Sequence, residues 1–87
     1  MSEIICRRCS IGRVNLLCRL YDQAYGDQNP KALGDLNKLL RLAAGRGYPQ
    51  GQRAVTDGMD RAKARQIFWN VSSVLTDRDL ELLGYTL

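Results

Sequence analysis

The apolar residues of this chain recur three and four positions apart, and nowhere do they alternate. That spacing belongs to helices packed by one face, and the missing two-residue period leaves no half-buried strand to build a sheet from. Val14, Leu17, Cys18, Tyr21, Ala24 and Tyr25 make one such stripe, which predicts a helix over about 11–25. Ser10 is a candidate cap at its start, and Gly26 a candidate left-handed stop. Whether residues 3–9 prolong this helix or form an extended arm stays open.

Asn29-Pro30 opens a second helix. Asn is a good N-cap, and Pro at the first helical position gives up an N–H that has no intrahelical partner anyway. The helix is expected over about 30–44, with Leu33, Leu36, Leu40 and Ala43 buried, Leu39 flanking, and Arg41 in the last turn. Residues 45–51, Gly-Arg-Gly-Tyr-Pro-Gln-Gly, read as a loop, because three Gly and one Pro in seven residues do not hold a helix. Beyond it, 51–56 reads as a short helical turn and 58–75 as the longest helix, with Thr56 or Asp57 as cap and Gly58 as break. Apolar residues surround this helix from Ile67 onward, where Phe68 and Trp69 adjoin, so it should be packed on two sides, within the bundle or against a partner. Thr76 with Asp79 forms a capping box, with Leu75 and Leu80 as the staple. The last helix spans about 77–83, with Leu80, Leu82 and Leu83 in the core, Gly84 closing it and 85–87 packing back. The fold class expected is therefore all-α. It is a small bundle of about four helices (11–25, 30–44, 51/58–75, 77–83) with a Gly/Pro loop at 45–51, as one domain over residues 1–87.

The chain has no His. Ser-His-Asp and Cys-His catalysis are thereby removed, and so is any zinc site that uses imidazole. Asp57, Asp60, Asp77 and Asp79 read as helix-start residues, favoured there by the helix dipole, rather than as general acids or bases. Cys6 and Cys9 form a CxxC pair, which can share a metal or exchange a disulfide. Cys18 and Asp22, one helical turn apart, would complete a four-ligand set. Three cysteines without a second CxxC fit small buried hydrophobes better, so no metal and no cofactor are expected. The N-terminal apolar stretch is too short for a signal peptide, and no run approaches a membrane span. The expected location is the cytoplasm, with no membrane partner.

Charge is distributed in blocks. Residues 1–20 hold four Arg and one Glu, residues 41–65 hold five Arg, one Lys and two Asp, and the segments between and after are net acidic. Ten of the 13 cations are Arg, the side chain suited to bidentate anion contacts and to protein interfaces. The candidate partner-binding residues are Arg46, Tyr48, Arg53, Arg61, Lys63, Arg65 and Trp69, with Arg7, Arg8 and Arg13 as a second basic patch.

Residues 52–67, and in particular Ala54, Gly58, Met59, Ala64 and Ile67, resemble the helix-turn-helix of phage repressors and Cro proteins. The resemblance implies that two helices touch at the alanines, that Gly58 makes the turn, and that Arg61, Lys63, Arg65 and Gln66 face bases and phosphates. Arg53 and Asp57 stand where that family carries apolar residues. Leu75 to Gly84 resembles a short helix of small Arg-rich bacterial proteins of unknown function. Together these readings predict a non-enzymatic regulator that binds, inhibits or bridges another protein through an Arg/aromatic surface and is able to homodimerise. A DNA-binding regulator with a degenerate helix-turn-helix is the alternative, and a zinc or redox CxxC protein stands behind it.

Overall fold

A computed structural model describes residues 2–85, with side chains from residue 11 onward. It contains five helices and, among the described residues, no strand. They are α1 (Ser2–Tyr25), α2 (Pro30–Gly45), α3 (Gln50–Thr56), α4 (Arg61–Ser72) and α5 (Asp77–Glu81). Among the described residues, no helix is long and apolar enough to cross a membrane.

The longest element is α1, at 24 residues, not the segment after Gly58. It runs through Gly12 and starts at Ser2, so Ser10 lies inside the helix and caps nothing. α1 packs against α2 and also against α4. This is why Leu16 and Leu20 are buried beside the expected Val14, Leu17, Cys18, Tyr21 and Ala24. Tyr25 falls past the end of the shared core and is 44% exposed. The left-handed residue after α1 is Gln28, with φ 54°, rather than Gly26.

Asn29 caps α2 as expected, its side-chain oxygen accepting from the Lys31 and Ala32 N–H groups at 3.0 and 3.3 Å. Leu36, Leu39, Leu40 and Ala43 are fully buried, whereas Leu33 is partly so. Arg41 stands short of the last turn, which holds no basic residue.

Three helices end by one device. Gly47, Gly58 and Gly84 take φ of 98°, 62° and 94°. Behind each, the next residue's N–H reaches back five positions, from Tyr48 to Ala43, Met59 to Ala54 and Tyr85 to Leu80, at 2.9–3.1 Å. The glycine's own N–H bonds a carbonyl three positions back. This is the Schellman closure, which occupies carbonyls that a helix end otherwise leaves bare. Tyr48 and Tyr85 then fold back against the core. The rest of the expected tail, Thr86 and Leu87, lies outside the described residues.

The loop at 45–51 shrinks to four residues, because Gly45 ends α2 and Gly51 sits inside α3. Gly51 is there for contact, not for a turn. A Cβ on it would stand 2.6 Å from Leu40 Cδ2 and 3.2 Å from Val71 Cγ2. The segment expected as one helix from 58 is capped later, by Asp60, whose Oδ1 accepts from the Lys63 N–H at 3.0 Å. Asp57 closes α3 instead. The Thr76–Asp79 capping box forms in both directions, at 3.2 and 2.8 Å. α5 is shorter than 77–83, and Leu82, expected in the core, is 75% exposed.

Two arginines hold the corner between α4 and α5. From α1, Arg13 donates Nε to the Ser72 carbonyl at 3.1 Å and a terminal nitrogen to Asp77 at 2.8 Å. From the end of α2, Arg46 donates to the Val74 carbonyl at 2.7 Å and grips both oxygens of Asp79 at 2.8 and 3.3 Å. Each adds charge-assisted hydrogen bonds to a carbonyl and a carboxylate at this corner.

Gly51→Ala should overpack the Leu40–Val71 contact and destabilise by about 1–3 kcal/mol. Gly34→Ala, on an open face of α2 with nothing within 4 Å, should stabilise by about 0.5–1 kcal/mol. Urea unfolding of both variants checks the pair of signs.

Stability should also fall at both ends of the pH scale. The Arg46 guanidinium, with help from the Thr76 N–H and hydroxyl, holds Asp79 down to about 2 against the usual 3.8. The carboxylate's contribution is therefore complete above pH 4 and lost as pH drops from about 4 towards 2. Burial, and then donation to Asp35, pushes the Tyr85 hydroxyl up to about 12 from 10, so its contribution is lost as pH rises from about 10 towards 12. Urea midpoints across pH should show the acid fall reduced in Arg46→Ala and the alkaline fall reduced in Tyr85→Phe.

Candidate functional site

α1 and α4 run antiparallel, because their partners pair in opposite order. Asp22 meets Arg61 at 3.2 Å, Asn15 and Cys18 meet Arg65 at 3.3 and 3.7 Å, and Arg13 meets Ser72. Ala64, Phe68, Val71 and Ser72 turn inward from α4. Phe68 lies edge-on to the Tyr21 ring with centroids 5.6 Å apart. The Tyr21 hydroxyl donates to the Met59 carbonyl, which ties α1 to the α3–α4 turn. Burial, then the neighbouring Tyr25, Asp60 and Asp22, pushes that hydroxyl's pKa upward.

The helical period places the opposite face of α4 in solvent. Ala62, Lys63, Gln66, Trp69 and Asn70 are all exposed there, with Arg65 at the edge nearest α1. Trp69 is 52% exposed. Packing on two sides was the expectation for this stretch. Within the bundle, α4 buries Phe68 and packs against α1, α3 and α2, while Trp69 turns outward; α1 packs against both α2 and α4. Arg65, Gln66 and Trp69 line a shallow hollow of about 310 Å³. Across the seam, Ile11 on α1 is also exposed, one helical turn before Asn15. No Asp or Glu occurs from residue 61 to 76, so this face carries cations and amides alone. The acids Asp22, Asp57 and Asp60 gather instead by the amino end of α4.

The seven residues singled out by charge and aromaticity do not form one patch. Arg61, Lys63, Arg65 and Trp69 share α4, and Arg53 is exposed on α3. Arg46 is held in the α4–α5 corner, and Tyr48 is half-buried against the core. Of the second basic patch, Arg13 has a side chain 12% exposed and bonds inside the fold. The side chains of Arg7 and Arg8 lie outside the described residues. So do those of Cys6 and Cys9. Cys18 is buried beneath Arg65, and Asp22 faces Arg61. Among the described residues no three metal-ligating side chains come together.

Sequence reasoning missed Asn70 as a member of the exposed α4 face, and the signal for it was available. Asn70 follows Gln66 by four, which puts the two on one helix face. Ala54 and Ala64 are buried, and Gly58 takes the left-handed turn between α3 and α4. The same glycine closes α3 by the device used at Gly47 and Gly84. Compared with protein-family models, curated proteins and solved structures, the chain matches none.

Trp69 is the single tryptophan, so its fluorescence reports this face alone. In the native protein it should emit at long wavelength and be quenched readily by acrylamide, whereas a buried indole would resist. Steady-state quenching in buffer and in urea gives the comparison.

Proposed function

We propose that this chain is a non-enzymatic regulatory protein that binds another protein through the outward face of α4, with Trp69 as anchor. The observation that carries the reading is a half-exposed tryptophan on a rigid helix, flanked by Arg65 and Gln66 and backed by a fully buried Phe68. Trp and Arg are the side chains that most often dominate binding energy at protein interfaces, and a buried neighbour keeps the anchor pre-organised. Arg65 supports this role through its bonds to Asn15 and Cys18, which hold its guanidinium at the rim.

DNA binding is the second reading, favoured by the α3–turn–α4 geometry and by the lack of acids on α4 itself. Asp57 and Asp60 weigh against it. They sit at the turn and cap that lead into α4, where a recognition helix meets the groove and its phosphates.

Affinity capture from extract with and without nuclease separates the two. The expected result is a protein partner that survives nuclease and is lost with Trp69→Ala, a weakening of about 30-fold or more for an anchor residue. Lys63→Ala should change capture far less. Recovery of nucleic acid, with duplex affinity falling steeply with salt and little dependence on Trp69, would establish the second reading in place of the first.

A further inference from the structure

A second surface lies away from α4, between the carboxyl half of α2 and the chain around α5. Leu42 is 42% exposed and Leu82 75% exposed, and with Leu83 they floor an open groove of about 590 Å³. Lys38, Arg41 and Arg46 rim it. Asp79 is the one acid in its lining, and both of that carboxylate's oxygens are taken by Arg46. Neither Lys38 nor Arg41 has an ion-pair partner among the described residues. Glu81, next to Leu82 in sequence, does not line the groove. The result is an aliphatic trough with two uncommitted cations on its α2 wall.

We infer that this groove docks an acidic amphipathic helix supplied by a partner protein. The occupant follows from the chemistry of the walls. No strand edge exists among the described residues to add a strand to, and proline-rich segments seek aromatic-lined grooves, whereas this one is lined by leucines. An amphipathic helix seats large aliphatic side chains at i and i+3 or i+4 in such a trough. Carboxylates flanking those anchors meet Lys38 and Arg41, while like-charged helices are turned away. The site is separate from the α4 face and does not need Trp69.

Selection of a random library of peptides about 16 residues long, between four and five helical turns, against the intact protein tests this. The expected outcome is enrichment of sequences with large aliphatics at helical spacing and Asp or Glu beside them. A synthetic peptide of the enriched type should bind at least about tenfold more weakly to Leu82→Glu and to the Lys38→Glu/Arg41→Glu double variant. It should bind Trp69→Ala as it binds the parent. Leu82, Lys38 and Arg41 are exposed, and circular dichroism melts of the variants establish that they fold. Any of four results overturns the inference. They are no enrichment, enriched peptides lacking acids, binding that survives Leu82→Glu, or a dimer of the parent that Leu82→Glu dissolves. Loss of binding in Trp69→Ala would assign the peptide to the α4 face and likewise remove the groove from consideration. Failure here leaves the α4 reading standing, since capture through Trp69 is measured separately.

Discussion

The burial of α1 on two sides is the constraint on which the rest of this bundle depends. A chain of 87 residues has little interior to distribute, and one helix that gives both flanks to the core supplies much of it. α2 takes one flank and α4 the other, which leaves α3 and α5 to be short. The close approach at Gly51 follows from the same economy of space, since α3 must come near Leu40 of α2 and Val71 of α4. α4 keeps a polar outer face, because its inner face, Ala64, Phe68, Val71 and Ser72, already completes the Tyr21 side of the core.

Two arginines extend that arrangement to the end of the chain. α5 has five residues, too few to be stable from its own hydrogen bonds. Its capping box, the burial of Leu80, and the grip of Arg13 and Arg46 on Asp77 and Asp79 supply what propensity does not. Both arginines reach across more than twenty positions of sequence. A reading of charge by block assigns them to surface, because a block shows sign and density but not where a long side chain folds back.

This divides what could be read from the residues from what could not. Local chemistry was legible: Asn29-Pro30, the Thr76–Asp79 box, Gly58 as a break and the class of fold all rest on contacts within a few positions. The errors arise where tertiary contact decides. Gly51 resembles a loop residue until Leu40 stands against it, and Leu82 resembles a core residue until the helix stops at Glu81. Arg46 and Tyr48 resemble an interaction loop until the Schellman closure at Gly47 turns them onto the fold. On α4, the cations and Trp69 were found as residues, but which of Phe68 and Trp69 faces out depends on the Tyr21 ring, a distant residue that neither periodicity nor charge points to.

The placement of acids explains why the surfaces left over are basic. Asp60 and Thr76 with Asp79 serve as caps, Asp77 and Asp79 receive arginines, Asp35 receives the Tyr85 hydroxyl, and Asp22 receives Arg61. Carboxylates near helix starts satisfy bare N–H groups and the positive end of the dipole at once, so a small helical protein places them there to advantage. Each acid used in this way is withdrawn from the helix faces. Lys38, Arg41, Lys63 and Arg53 are then left without an ion-pair partner among the described residues, the first two beside exposed Leu42 and Lys63 on the same helix as exposed Trp69. The unpaired cations thus lie on faces from which caps and ion pairs have withdrawn the acids. On the α2 side they share a groove with exposed Leu42 and Leu82.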